Sequence, residues 1–178
     1  MAAKVRFATA WLDGCSGCHM SFLDLDEALL DIADLVDVVY SPTVDTKEFP
    51  EDVDLTLIEG AVSSQDDLDK LLHIRERTNL LVALGDCAVT GNVPAMRNTF
   101  AVETILSEVY EKPEDLQAQK PCREVPVLLP QAKPMHVYVT VDRYLPGCPP
   151  PPEAIRELLM AILEGRESNI HALTRFGR

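Results

Sequence analysis

Short unbroken runs of apolar, β-branched residues alternate along this chain with stretches in which apolar positions recur every three or four residues. Val5–Trp11, Asp37–Ser41, Val53–Ile58 and Asn79–Gly85 are runs of the first kind, punctuated by Gly14, Pro42, Pro50 and Gly60. They lack an in-and-out alternation, which is the pattern of strands covered on both faces. His19–Leu35 is of the second kind: Phe22, Leu25, Leu29, Ile32 and Ala33 form one stripe, with Asp24, Glu27, Asp31 and Asp34 opposite. That spacing predicts an amphipathic helix packed on a sheet. Ser63-Ser64-Gln65-Asp66 supplies N-cap residues for a second helix running to about Arg77. His136–Val141 restores strand character, and after the block Pro149–Pro152 the stretch Glu153–Leu163 reads as a helix ended near Gly165. Strands alternating with helices imply βαβ units and a parallel sheet. The predicted fold is α/β, a flavodoxin-like open parallel sheet with helices on both faces.

The region from Lys112 to Pro134 breaks this rhythm. It holds Pro113, Pro121, Pro126, Pro130 and Pro134, five of the chain's 13 prolines, and little periodicity. It reads as an irregular excursion, of the kind that contact with a partner chain would explain. The rest of the 178 residues, 47% of them hydrophobic, suits one domain over residues 1–178 with one core.

A net charge of −13, from 16 Lys and Arg against 29 Asp and Glu, repels both a phosphate backbone and an anionic lipid surface. Nucleic acid and membrane are therefore not expected partners. No apolar run approaches the roughly 18–20 residues that span a bilayer, and Met1-Ala2-Ala3-Lys4-Val5-Arg6-Phe7 has neither a secretion signal's apolar core nor a twin arginine. A cytoplasmic location is expected. Thiols stay reduced there, so cysteine spacing speaks of metal or redox chemistry rather than disulfides.

Cys15 and Cys18 follow the first strand as Cys-Ser-Gly-Cys, Cys87 follows the run ending near Asp86, and Cys148 lies in Pro146-Gly147-Cys148-Pro149-Pro150. In a parallel sheet the carboxyl ends of the strands open at one edge, where ligands bind. Thiols far apart in sequence thus meet at one point, and four convergent thiolates are what an iron–sulfur cluster needs. Glycine stands in every one of these loops: Gly14 and Gly17, Gly85 and Gly91, and Gly147. Two other readings stay open. A zinc-stabilised module would use a Cys-x-x-Cys pair, although a second such pair is absent from the sequence. A stand-alone thiol oxidoreductase would use Cys15 and Cys18 at a helix start and leave Cys87 and Cys148 without a task. Cys122, inside the proline-rich excursion, reads as a free thiol.

Trp11 through Cys18 with Ser21-Phe22-Leu23, then Glu59-Gly60, Gly85-Asp86-Cys87-Ala88 and Pro146-Gly147-Cys148-Pro149-Pro150, together resemble the small subunit of a [NiFe] hydrogenase across nearly the whole chain. The resemblance implies that Cys15, Cys18, Cys87 and Cys148 bind one [4Fe–4S] cluster, which takes electrons from a NiFe centre in a separate large subunit. Ending at Arg178, the chain resembles the short cytoplasmic members with one cluster, most of all those of bidirectional NAD-reducing hydrogenases. The activity implied is that of an H2:NAD+ oxidoreductase subunit. The H2-splitting site would then lie in the large subunit, with FMN, further iron–sulfur clusters and NAD on diaphorase subunits of the same hetero-oligomer. F420-reducing and sulfur-reducing cytoplasmic hydrogenases share the motif core and are the alternatives. The related quinone-reductase subunit has two adjacent cysteines where this chain has Cys15-Ser16-Gly17-Cys18.

The chain departs from many family members in having Gly14, not glutamate, before the first cysteine, so a proton exit there is not carried over. Glu59 matches a family glutamate near the cluster and the subunit contact, a second-layer or proton-relay position; read alone it is a strand-end carboxylate. His19, His73, His136 and His171 are too scattered for a metal motif, and the acidic positions between Asp24 and Asp34 read as a solvated helix face. The chain has no Gly-x-Gly-x-x-Gly after a strand, so no dinucleotide site is expected in it.

Overall fold

The computed structural model describes residues 3–112, 119–174 and 176. In chain order its elements are β1 (Val5–Trp11), α1 (Gly17–Leu23), α2 (Ala28–Ala33), β2 (Val36–Tyr40), β3 (Val53–Glu59), β4 (Val62–Ser64), α3 (Gln65–Glu76), β5 (Thr78–Leu84), α4 (Gly85–Thr90), α5 (Asn92–Ala95), α6 (Val102–Tyr110), β6 (Leu128–Lys133), β7 (Arg143–Leu145) and α7 (Pro152–Leu163).

Five strands form one sheet in the order β2-β1-β3-β5-β7, and every pair in it is parallel. This is the flavodoxin-like arrangement that the alternation predicted, with the strand order reversing between β1 and β3. Successive residues of each strand point to opposite faces, and each face has its own core. Phe7, Leu55, Leu57, Val82, Leu84 and Leu145 meet Leu25, Ile32, Ile155 and Leu158 on one side. Ala8, Ala10, Ile58, Leu81 and Ala83 meet Leu71, Ile74, Ala88 and Met135 on the other. Burial on both sides is why the central strands read as continuous apolar runs.

The start of α3 is set by a capping box. Ser64 Oγ accepts the Asp67 N–H at 3.1 Å, and Asp67 Oδ2 accepts the Ser64 N–H at 2.9 Å.

Three expectations need correction. The single helix over His19–Leu35 is two, because Asp26 takes a left-handed backbone (φ 48°) and residues 24–27 turn through shorter-range bonds such as Leu25 N–H to Phe22 O. Phe22, Leu25, Leu29 and Ile32 still face the core, whereas Ala33 is exposed.

His136–Val141 is not a strand. Met135–Val137 forms a short 3-10 turn that drops Met135 into the core, and the fifth strand begins later, at Arg143. The Asp142 carboxylate accepts the Leu81 N–H at 2.7 Å, and the Asp142 N–H donates back to Leu81 O at 3.0 Å, so this residue opens the β5–β7 pairing. Within 137–141, Tyr138, Val139 and Val141 pack against the core without joining a ladder, and Val137 and Thr140 are exposed.

Finally, the excursion is not wholly irregular. Residues 113–118 lie outside those described, but β6 pairs antiparallel with β4 in a two-stranded sheet. Its Pro130 is tolerated because this small sheet consists only of edge strands.

Candidate cofactor site at the carboxyl edge of the sheet

β1, β3, β5 and β7 are neighbours, and all four run to the same edge. Beyond β1 the chain reaches Cys15, turns at Ser16 in a left-handed conformation (φ 63°) and enters α1, whose first turn carries Cys18. Beyond β5 it enters α4 directly, with Cys87 in the first turn rather than after the strand in a loop. Beyond β7, the segment Pro146–Pro150 carries Cys148. The outcome is one cavity lined by Gly14, Cys15, Gly17, Cys18, Glu59, Gly60, Cys87, Gly147, Cys148 and Pro149. All four thiols singled out by their position near strand ends are therefore in its wall. Cys122 is absent from that wall and lies on the far groove beside α6 and Pro126.

Close approach at this edge depends on glycine. A Cβ on Gly85 would sit 2.2 Å from Cys18 Sγ, and the residue holds φ +81°. No side chain fits there while Cys18 keeps its place.

Cross-ties then fix the three cysteine segments to one another. The Asp86 N–H donates to Gly147 O at 2.9 Å, and Asp86 Oδ1 accepts the Gly147 N–H at 2.7 Å, joining the Cys87 helix to the Cys148 loop. Ser21 Oγ donates to Pro150 O at 2.6 Å, joining α1 to the same loop. Asn92 Nδ2 donates to Cys148 Sγ at 3.4 Å. The His19 N–H donates to Glu59 Oε2 at 2.7 Å, joining the first turn of α1 to the end of β3.

Sequence reasoning gave no role to Ser21, Asp86 or Asn92. Their partners are backbone or sulfur atoms 56 to 129 residues away, which no local pattern reports.

Glu59 is 2% exposed, so it is not a solvated strand-end carboxylate. His19, which abuts Cys18 in sequence, is also buried and packs edge-on against Trp11 with ring centroids 5.4 Å apart. Its Nδ1 lies 2.9 Å from Glu59 Oε2 but off the hydrogen-bonding direction, leaving both ring nitrogens buried without an aligned partner among the described residues.

Burial pushes the Cys18 thiol well above its ordinary pKa, and Glu59 and the other three cysteines push it further. Burial also raises Cys87, against the lowering effect of hydrogen bonds from the Val93 N–H and the Asn92 amide. A Cys15–Cys18 oxidoreductase would leave Cys87 and Cys148, which share the same wall, without a task. Thiols crowded in a low-dielectric wall ionise when a cation group takes their protons' place, and binding it releases those protons. Among the described residues no group of three or more His, Cys, Asp and Glu is gathered for a single metal ion. Four soft sulfur donors spread around a cavity fit a polynuclear iron–sulfur group better than one zinc ion.

Residues 15–162 match the protein family described as NADH ubiquinone oxidoreductase, 20 Kd subunit. The delta subunit of the NAD-reducing hydrogenase HoxS of Cupriavidus necator is 38% identical over 92% of this chain and 80% of its own length. The chain belongs to this family, among its hydrogenase small subunits. The F420-non-reducing hydrogenase vhu of Methanocaldococcus jannaschii contains a relative 36% identical to this small subunit over 93% of the chain. This chain spans 58% of the length of that protein, and 56% to 60% of its counterparts in other methanogens. Its fold superposes with a TM-score of 0.94 on a chain of the NAD+-reducing [NiFe]-hydrogenase in the H2-reduced state, at 42% identity, covering 98% of this chain and 99% of that one. The resemblance carried by Trp11–Cys18, Gly85–Ala88 and Pro146–Pro150 is thus borne out at the level of the family.

Proposed function

We propose that this small subunit is an electron relay in an NAD-reducing [NiFe] hydrogenase. Cys15, Cys18, Cys87 and Cys148 would hold one [4Fe–4S] cluster, and the NiFe centre would lie in a partner large subunit. The observation that carries the reading is the convergence of the four thiols, from three separate segments, on one glycine-walled cavity at the carboxyl edge of the sheet. Bound there, the cluster would pass single electrons between the partner's metal site and flavin and iron–sulfur diaphorase subunits that reduce NAD+.

The chain's own residues do the rest. Asp86, Ser21 and Asn92 keep the thiols in place before anything binds, as close positioning requires. Cys18 and Cys87 are half-buried, whereas Cys15 and Cys148 are exposed and would be shielded from water by the partner. Glu59, inside the wall and 2.9 Å from the imidazole Nδ1 of His19, would take a second-layer or proton-relay role at the subunit contact. Trp11, Met20 and Val93 expose apolar surface within a few residues of cavity-lining positions, which is where a large subunit would cover the site. No helix among the described residues is long and apolar enough to cross a membrane, and the reading places the complex in the cytoplasm.

The F420-non-reducing relatives favour a second reading, in which the same relay serves a different acceptor. Purification of the native complex under anaerobic conditions tests both. About four iron and four sulfide on the small subunit itself, over and above those of the partner subunits, are expected, with H2-dependent reduction of NAD+. Iron with H2 oxidation but no NAD+ reduction selects the second reading. A complex in which this chain carries no iron overturns both.

A further inference from the structure

The chain between Cys87 and Val93 takes an unusual path. Gly91 ends α4 at φ +88°, and the next residue, Asn92, is also left-handed at φ +29°. Gly91 takes this conformation freely, but Asn92, which is not glycine, is strained there unless the surroundings hold it. The turn is held: the Gly91 N–H donates to Cys87 O at 3.0 Å, Thr90 Oγ1 donates to Asp86 O at 2.8 Å, and the Asn92 N–H donates to Thr90 Oγ1 at 3.4 Å. What the turn achieves is visible in the side chain. It folds the Asn92 carboxamide back over the cysteines, where Nδ2 donates to Cys148 Sγ at 3.4 Å, and the same amide, with the Val93 N–H, works to lower the Cys87 pKa against its burial. Two thiols 61 positions apart share one half-buried amide.

We infer that Asn92 is a positioning and tuning residue, whose amide N–H groups draw charge from the Cys148 and Cys87 sulfurs and so raise the reduction potential of the group they bind. The inference rests on the reading of these thiols as cluster ligands. Hydrogen bonds to ligating sulfur stabilise the more negative, reduced form, and the outer partners of a metal site are among the protein's means of setting its potential. A purely structural asparagine would hold the turn and leave the potential alone.

The test is a redox titration followed by electron paramagnetic resonance on the native complex, carrying wild-type chain, Asn92→Ala or Asn92→Asp. Asparagine to aspartate keeps side-chain size but replaces the donor by a charged acceptor. Both variants are expected to keep wild-type iron content. At a fixed potential the reduced-to-oxidised ratio is expected to fall by about tenfold in Asn92→Ala, equivalent to about 59 mV for one electron, and by more in Asn92→Asp. An Asn98→Ala variant, which removes an amide bonded to Ala132 O instead of sulfur, is expected to titrate like wild type. Iron retained with an unshifted potential in Asn92→Ala and Asn92→Asp overturns the inference. So does loss of iron from both, which makes Asn92 a purely structural part of the turn. If only Asn92→Ala sheds iron, the shift in Asn92→Asp decides. Wild-type complex without iron on this chain would instead refute the cluster reading itself.

Discussion

The carboxyl edge of the main sheet and the flank formed by α6, β6 and residues 119–127 are built on opposite terms. At the edge, each cysteine segment is tied to another by hydrogen bonds that the chain supplies to itself, and Asp86, Glu59, Ser21 and His19 are all buried. On the flank, α6 has no buried residue. Phe100, Val109, Tyr110, Val125 and Val127 are exposed, and the groove beside α6 is lined by Val102, Leu106, Tyr110, Pro121, Cys122 and Val127 among others. Among the described residues this flank is anchored by Arg97, which donates to Ser63 O and Leu129 O, by Asn98 on the backbone of Ala132, by the Gln65 N–H on Val127 O, and at the surface by Lys120 against Glu103 and Glu111. The difference teaches where precision is needed. Donor atoms must be pre-placed to a fraction of an ångström, so the chain buries polar side chains there; a surface that only has to be covered makes do with more exposed ones such as Lys120 and Glu103.

Substitutions at the edge and on the flank should therefore separate cleanly. The largest effect is expected from Cys148→Ser and Cys87→Ser, which replace a soft thiolate by a poor ligand and should abolish wild-type iron loading and H2-dependent NAD+ reduction. Cys122→Ser should leave both near wild type. Iron and sulfide assays on purified complexes measure this, and an iron-free Cys122→Ser beside an iron-replete Cys148→Ser would reverse the comparison.

Next in size is Gly85→Ala. Its methyl group would fall 2.2 Å from Cys18 Sγ on a backbone at φ +81°, so iron content should drop severalfold even where circular dichroism shows the sheet intact.

Asp142 gives a smaller effect away from the site. Burial works to raise its pKa, but the Leu81 N–H, Arg75 and Arg143 outweigh it and hold the carboxyl below its ordinary range. A depressed carboxylate stabilises the fold above its unfolded pKa, near 3.9, and that contribution fades as pH falls through the folded value. Asp142→Ala should cost about 1–3 kcal/mol at neutral pH in denaturant unfolding. The gap from wild type should narrow below about pH 4. A gap that widens in acid would show that the carboxylate is not the source. The smallest effect belongs to the flank: Val127, 72% exposed, should tolerate Ser within about 0.5 kcal/mol in the same assay.

The comparison also explains what the sequence made legible. β1, β3 and β5 were readable because a strand covered on both faces has few polar positions to interrupt it. β7 was not, because it is three residues long and two of them, Arg143 and Tyr144, are exposed. β6 hid behind Pro130 and belongs to a separate small sheet. The cysteines stood out by their positions near strand ends and their glycines, and the cavity collects all four. The residues that hold them did not, since a hydrogen bond from Ser21 to Pro150 O joins positions that only the finished fold brings together. The helix over His19–Leu35 failed for a local reason: a stripe of apolar residues persists through a short kink as long as both halves rest on the same core.

The strand order has a consequence for how such a site comes into being. The thiol-bearing segments follow β1, β5 and β7, and the last of these is the final strand of the main sheet. A ribosome that has released only the first 140 or so residues presents three of the four sulfurs, in a sheet still lacking the strand that carries the fourth. On the proposed ligand set, delivery of iron has to wait until Cys148 has emerged and the long-range β5–β7 pairing has closed. Occupancy of the cavity would then serve the cell as a certificate that the main sheet has closed, withheld from any chain that stops short of β7.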